Sequence, residues 1–214
     1  MSEINLENIV SCIVNDGYFI IKNYYSIEQC NNILNDIKNI PQNSINYGEG
    51  KDIRIAHFEN YSKGAQNFLN DNFLLQIGNN ILGHEADRVK KRCQLGILKY
   101  HQGNESSGGG WHVDNHNPQF KALLYLTNVN LNNGPFAIIS PPLTSKDYKS
   151  VSSEKDIRDT RFPDKIEEDY KDNVKYLTGN MGDVIVVNTQ NIHRGTTIKQ
   201  GERISLTNYY YDGN

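Results

Sequence analysis

Gly108-Gly109-Gly110-Trp111-His112-Val113-Asp114 is the stretch on which the reading of this chain turns. In an extended strand, residues two apart project to the same side. His112 and Asp114 are therefore expected to point together. A neutral imidazole and a carboxylate from one strand supply two ligands of a metal site. An ordinary hydrogen-bonded His–Asp pair on a sheet is the plainer alternative, and the rest of the chain has to decide between them.

A third ligand must come from elsewhere. His193, in Asn191-Ile192-His193-Arg194-Gly195, follows the apolar run 184–187, which reads as a buried strand. Two histidines and one carboxylate on one face of a metal leave its other positions open, as in non-haem iron centres that activate dioxygen. Ten residues after His193 comes Arg203, in Gly201-Glu202-Arg203-Ile204-Ser205. An arginine inside an otherwise apolar strand needs an anionic partner, and its planar fork fits a carboxylate bidentately. Ser205 shares its face and can add a hydrogen bond. A structural ion pair would also account for Arg203 taken alone. The joint order of these elements is much more specific than any one of them.

Working outward, short strand-like runs occupy 93–100, 120–127, 136–139, 184–187 and 204–210, separated by Gly, Asn and Pro. Such spacing predicts a sandwich or barrel. The N-terminal part, 1–88, reads as helix-rich. Residues 3–15 carry apolar side chains at helical spacing, Tyr18-Phe19-Ile20-Ile21 reads as a strand, and Ser26 with Gln29 forms a capping-box pattern. A single amphipathic helix is expected over about 62–82. Residues 141–173 are polar and charged, which predicts a lid or a flexible insertion.

Composition bounds the function. The 214 residues fit one domain, and 20 Phe and Tyr suffice for a core, so disorder is excluded. The 22 basic and 25 acidic residues give a net charge of −3, which argues against nucleic acid as a partner. No apolar run reaches the roughly 18 residues of a membrane span, and MSEINLENIV lacks the pattern of a secretory signal, so a cytoplasmic protein is expected. Cys12, Cys30 and Cys93 form no CxxC and predict neither a disulfide framework nor a thiolate zinc site.

At this point the chain resembles the Fe(II)/2-oxoglutarate-dependent dioxygenases, and within them the phytanoyl-CoA dioxygenase-like branch. The matching text is Asp16-Gly17-Tyr18-Phe19-Ile20-Ile21, Lys99-Tyr100, Trp111-His112-Val113-Asp114, 121–129 (KALLYLTNV), Asn133-Gly134-Pro135-Phe136, Gly182-Asp183-Val184, His193-Arg194-Gly195 and Arg203. The resemblance implies a mainly β fold with flanking helices: a double-stranded β-helix, or cupin-like jelly-roll, core over 89–214. It implies that His112, Asp114 and His193 hold Fe(II), that Arg203 binds the distal carboxylate of 2-oxoglutarate, and that Lys99 reaches toward this cosubstrate. Dioxygen is then the oxidant, and succinate and carbon dioxide are released as a small molecule is hydroxylated. Because Asp114 is present, hydroxylation is favoured over halogenation, which in related enzymes uses the vacant carboxylate position. The segment 139–145 departs from the branch's Pro-Gly-Ser-His-like pattern by lacking a histidine. The polar composition points to a small polar metabolite or sugar-type substrate rather than an acyl-CoA. The alternative is a cupin-like, non-redox metal isomerase or hydrolase, which needs neither Arg203 nor dioxygen.

Other residues carry plainer expectations. His116 is assigned to the substrate side or to support of the ligands, Trp111 to packing beside the metal strand, and Arg194 to solvent or the substrate edge. The triple glycine 108–110 is expected to be a flexible loop, and Tyr209-Tyr210-Tyr211 to pack in the sheet. His57, His84 and His101 have no patterned partners.

Overall fold

Two antiparallel sheets face one another in the computed structural model, which describes residues 5–47, 52–83, 89–100, 108–151 and 160–212. Eleven strands are found among them: β1 (Tyr18–Ile21), β2 (Asn46–Tyr47), β3 (Ile53–Ala56), β4 (Val89–Lys99), β5 (Gly108–His112), β6 (Phe120–Tyr125), β7 (Phe136–Ile139), β8 (Val174–Leu177), β9 (Val184–Asn188), β10 (His193–Gly195) and β11 (Glu202–Asp212). The larger sheet has the order β1-β9-β6-β11-β4-β3-β2 and the smaller one β5-β10-β7-β8. This is the expected two-sheet jelly-roll. The first three strands belong to the N-terminal part and complete both edges of the larger sheet.

Side-chain alternation explains the layering. On the outer face of the larger sheet, Cys93, Leu95 and Ile97 of β4, Phe120, Ala122 and Leu124 of β6, and Val184 and Val186 of β9 join Leu206 and Tyr210 of β11. Four helices cover them: α1 (Leu6–Asp16), α2 (Ile27–Asp36), α3 (Lys63–Leu69) and α4 (Asn72–Leu82). Ile9, Ile13, Ile33, Phe68, Leu74 and Ile77 are among the buried contributions from these helices. The opposite face of β6 and β9 presents Leu123, Tyr125, Ile185 and Val187 toward Ile138 and Leu177 of the smaller sheet. All six residues of β6 are therefore buried, as expected of a strand covered on both sides.

Local chemistry sets the element boundaries. Ser26 Oγ accepts from Gln29 N while the Gln29 side chain accepts from Ser26 N, completing the predicted capping box of α2. Over 62–82 the expected single helix is two helices. Asp71 breaks it because its carboxylate caps α4 by accepting from the backbone N–H groups of Phe73 and Leu74. It also accepts from Tyr24 Oη. A cap of this kind is worth about 1 kcal/mol, enough to favour a break where Asn70-Asp71 interrupts the apolar spacing.

Two further expectations are corrected. The glycines 108–110 lie in strand β5 rather than in a loop before it. The segment 141–173 is not without core pattern. It forms α5 (Ser145–Val151) and α6 (Lys165–Asp169), and Tyr148 and Ile166 are buried with Trp111, Val113, Ala137 and Ile139. Residues 152–159 of that segment, with His84 and His101, lie outside the described residues. No helix among the described residues is long and apolar enough to cross a membrane.

Candidate metal centre and its cavity

The smaller sheet brings the two distant histidines side by side. β10 pairs with β5 so that His193 stands directly opposite His112, with ring centroids 4.4 Å apart. Phe136 of β7 stacks on His193 at 5.1 Å and 15°, which fixes the ring plane. Strand β5 ends at His112, so Asp114 lies two residues beyond the regular strand. Hydrogen bonding of its backbone N–H to Thr189 O at 3.1 Å holds it there.

The three side chains converge. One ligand atom from each of His112, Asp114 and His193 falls within 4.8 Å of the others. His112 Nε2 is 3.8 Å from Asp114 Oδ1, and His193 Nε2 is 3.6 Å from Asp114 Oδ2. Each imidazole has its other nitrogen tied to a carbonyl two residues earlier in the chain. His112 Nδ1 donates to Gly110 O and His193 Nδ1 donates to Asn191 O, both at 2.8 Å. A carbonyl can only accept, so the proton sits on Nδ1 and the Nε2 lone pair faces the centre. His193 Nε2 is buried without a hydrogen-bond partner, an orphan that a cation would satisfy. The donor set fits a divalent metal of the non-haem iron type.

Electrostatics keep these groups in ligand form. Burial pushes the His193 imidazole down to about 3, with Asp114 opposing and His112 and Lys121 assisting. His112 is lowered as well, mainly by burial. Burial alone would raise the Asp114 carboxyl. The adjacent Lys121 ammonium and, after it, His193 outweigh it and hold the group well below the usual carboxylate range.

The centre opens into a cavity of about 510 Å³ between the sheets. Arg203 and Ser205 line it from β11, as their shared face predicts, and Gly96 of β4 lies opposite Ser205. An Arg203 guanidinium nitrogen donates to Gly134 O, while Nε is buried with no partner. Gly134 has φ +69°, and a Cβ there would lie 2.7 Å from Thr196 O, so only glycine presents this carbonyl. A buried guanidinium with an unused donor suits an incoming carboxylate.

Lys99 is not part of this arrangement, which corrects its expected placement toward the cosubstrate. It continues the helix-side face of β4, after Cys93, Leu95 and Ile97, is exposed, and lies 3.4 Å from Glu202. His116 is exposed as well and bonds Ser145 Oγ at 2.9 Å. Arg194 pairs with Glu167 at 3.2 Å and lies over the buried Trp111 ring. His57, in a left-handed conformation just before the short turn Phe58–Asn60, is exposed and lies 3.2 Å from Glu59. Sequence reasoning missed Lys121, whose Nζ lies 2.5 Å from Asp114 Oδ2. The argument applied to Arg203 would have found it, because it is a cation embedded in the apolar strand 120–125.

Comparison with known proteins shows the fold at long range. No protein-family model matches the chain, and no curated protein sequence matches it. Solved structures do match. The epimerase SnoN in complex with Fe3+, alpha ketoglutarate and nogalamycin RO is 11% identical, with 97% of this chain and 83% of that one covered at a TM-score of 0.75. HygX from Streptomyces hygroscopicus with nickel and 2-oxoglutarate bound is 13% identical, covers 96% and 86%, and has a TM-score of 0.67. A Pseudomonas putida prolyl-4-hydroxylase is 14% identical, covers 97% and 99%, and has a TM-score of 0.64. The chain thus has the double-stranded β-helix fold of these proteins.

Proposed function

We propose that this protein is an Fe(II)- and 2-oxoglutarate-dependent oxygenase of the phytanoyl-CoA dioxygenase-like kind, which hydroxylates a small polar metabolite or sugar-type substrate. The observation that carries the reading is the pair of Nδ1-locked histidines facing Asp114 at one end of a cavity that also contains the unsatisfied guanidinium of Arg203. His112, Asp114 and His193 would hold the iron. Arg203, assisted by Ser205, would take the distal carboxylate of 2-oxoglutarate. The iron and cosubstrate together supply the oxidising power for dioxygen-dependent chemistry, with succinate and carbon dioxide as coproducts.

The chain's own contribution is geometric and electrostatic. Carbonyls of Gly110 and Asn191 fix the imidazole tautomers. Burial keeps His193 unprotonated through the physiological range. Leu123, Phe136 and Val187 supply apolar wall to the cavity, which limits competing water. Fold relatives with diverse chemistry, among them an epimerase and a hydroxylase, are consistent with a shared centre whose outcome depends on how substrate is held.

The test is anaerobic titration with Fe(II) and then 2-oxoglutarate. A weak visible charge-transfer band that forms only with both supports the proposal. Iron binding without a band moves the assignment to a non-redox metal isomerase or hydrolase. Absence of iron binding removes the metal centre itself.

A further inference from the structure

The cavity has the opposite charge sign to the chain. Five cations line it, Arg54, Arg92, Lys121, Arg161 and Arg203, against two carboxylates, Asp52 and Asp114, although the protein as a whole carries −3. A divalent metal and a dicarboxylate cosubstrate add no net charge between them. Arg54 is already matched by Asp52 at 2.7 Å. Lys121 is matched by Asp114, and Arg203 is assigned to the cosubstrate, which leaves the positive charge of Arg92 to be accounted for in the cavity.

That charge belongs to a row across three strands. Tyr209 of β11 stands opposite Arg92 of β4 on one side and Lys121 of β6 on the other. The Arg92 guanidinium and the Lys121 ammonium lie 4.6 and 4.7 Å from the centroid of the Tyr209 ring. Among the described residues Arg92 has no carboxylate partner. Lys121 has only Asp114, whose oxygen a bound metal would compete for. Two cations gathered about one ring repel each other, and an anion bridging them across the ring's edge would offset that cost. Tyr209 is six residues from Arg203 along β11, roughly 20 Å of strand, so a small dicarboxylate held by Arg203 is remote from Arg92, although Lys121, beside Asp114, borders the metal centre.

We infer that the Arg92–Tyr209–Lys121 row is a binding subsite for an oxyanion, a carboxylate or a phosphate, carried by the substrate. The inference rests on the proposed iron and 2-oxoglutarate centre for the identity of the cavity's other occupant. It narrows the substrate from a polar metabolite to an anionic one.

Calorimetric titration of the anaerobic Fe(II)–2-oxoglutarate protein with methyl phosphate and with acetate tests this. At least one probe binds the wild type, and the one that binds tells phosphate from carboxylate. Arg92→Gln weakens that probe tenfold or more, Arg92→Lys restores part of the loss, and 2-oxoglutarate affinity stays within twofold in both variants. Failure of both probes to bind the wild type, or equal binding by Arg92→Gln, overturns the subsite. A parallel loss of 2-oxoglutarate affinity in Arg92→Gln also overturns it, because the row then serves the cosubstrate. The same titration without metal or cosubstrate separates the two readings. Arg92-dependent probe binding in a protein that takes no 2-oxoglutarate retains the subsite and removes the oxygenase.

Discussion

Lys121 Nζ and Asp114 Oδ2 form a 2.5 Å ion pair in the cavity wall, on the same carboxylate oxygen that lies 3.6 Å from His193 Nε2. In the metal-free protein this ammonium is the cation that balances the Asp114 charge. A metal held by His112, Asp114 and His193 would take over that role.

Replacing Lys121 with Met should therefore destabilise the metal-free protein more than the metal-loaded one. Removing one partner of a buried pair costs about 3–5 kcal/mol. Asp114 is one-fifth exposed, so a loss of about 1–3 kcal/mol is expected after solvent screening. Urea unfolding with a chelator, and again with excess divalent metal, measures both. If the deficit is the same in the two conditions, Lys121 is not balancing the ligand charge.

Arg203→Ala should lower 2-oxoglutarate affinity far more than metal affinity. A charged hydrogen-bonding group lost from such a contact costs about 1.5–3 kcal/mol, roughly ten- to a hundredfold. Metal binding should change by less than about threefold, since the histidines and Asp114 are positioned by β5, β10 and β7 rather than β11. Equal losses in both titrations would make Arg203 a structural residue, held for its bond to Gly134 O.

Gly96 offers a second, steric route to the same compartment. It lines the cavity between Arg54 and Ser205 in the sheet, and a Cβ there would meet Ser205 Oγ only at 3.8 Å. A larger side chain is therefore accommodated by the backbone but occupies the space beside Arg203. Gly96→Leu should fold with an unchanged circular dichroism spectrum, retain metal binding, and lose 2-oxoglutarate binding by tenfold or more. Retained cosubstrate affinity would place 2-oxoglutarate elsewhere in the cavity.

The convergence of His112, Asp114 and His193 was legible in the sequence because its two halves carry local signals. His112 and Asp114 are two residues apart, and His193 follows a strand that reads as buried. Arg203 was legible as a cation in an apolar strand. The basic row was not. Arg92, Lys121 and Tyr209 are scattered over more than half the chain, and only the register of β4, β11 and β6 aligns them. Lys99 was misplaced because motif resemblance carries no information about which face of a strand a residue occupies. Alternation from Leu95 and Ile97 puts it on the helix side. The short strands β2, β3, β8 and β10 were missed because, unlike the equally short but continuously apolar β1 and β7, they mix polar or charged residues into two to four positions, and they exist through pairing with their neighbours. The Asp71 break was hidden because apolar pairs on either side, Phe68-Leu69 and Phe73-Leu74, made the short polar interruption at 70–72 read as the outer face of one helix.

Asp183 gives a prediction about acid stability away from the metal centre. Its side chain is fully buried and accepts from Lys22 Nζ at 2.9 Å, Asn23 N at 2.9 Å and Asn180 N at 2.8 Å. It thereby ties the end of β1 to the start of β9. Burial alone would raise its pKa, but the hydrogen bonds from Asn23, Lys22 and Asn180, with the Lys22 charge, bring it below the ordinary value. A carboxyl whose folded pKa is depressed binds protons more readily in the unfolded chain. Its stabilisation is present above the ordinary value near 4 and is lost as pH falls through the folded one. Asp183→Asn should cost about 2 kcal/mol at pH 7, and the gap to wild type should narrow below pH ~4. Urea unfolding of both proteins across that range measures it. A gap that stays constant with pH would mean that Asp183 stabilises the β1–β9 junction by shape and hydrogen bonding, with no contribution from its charge.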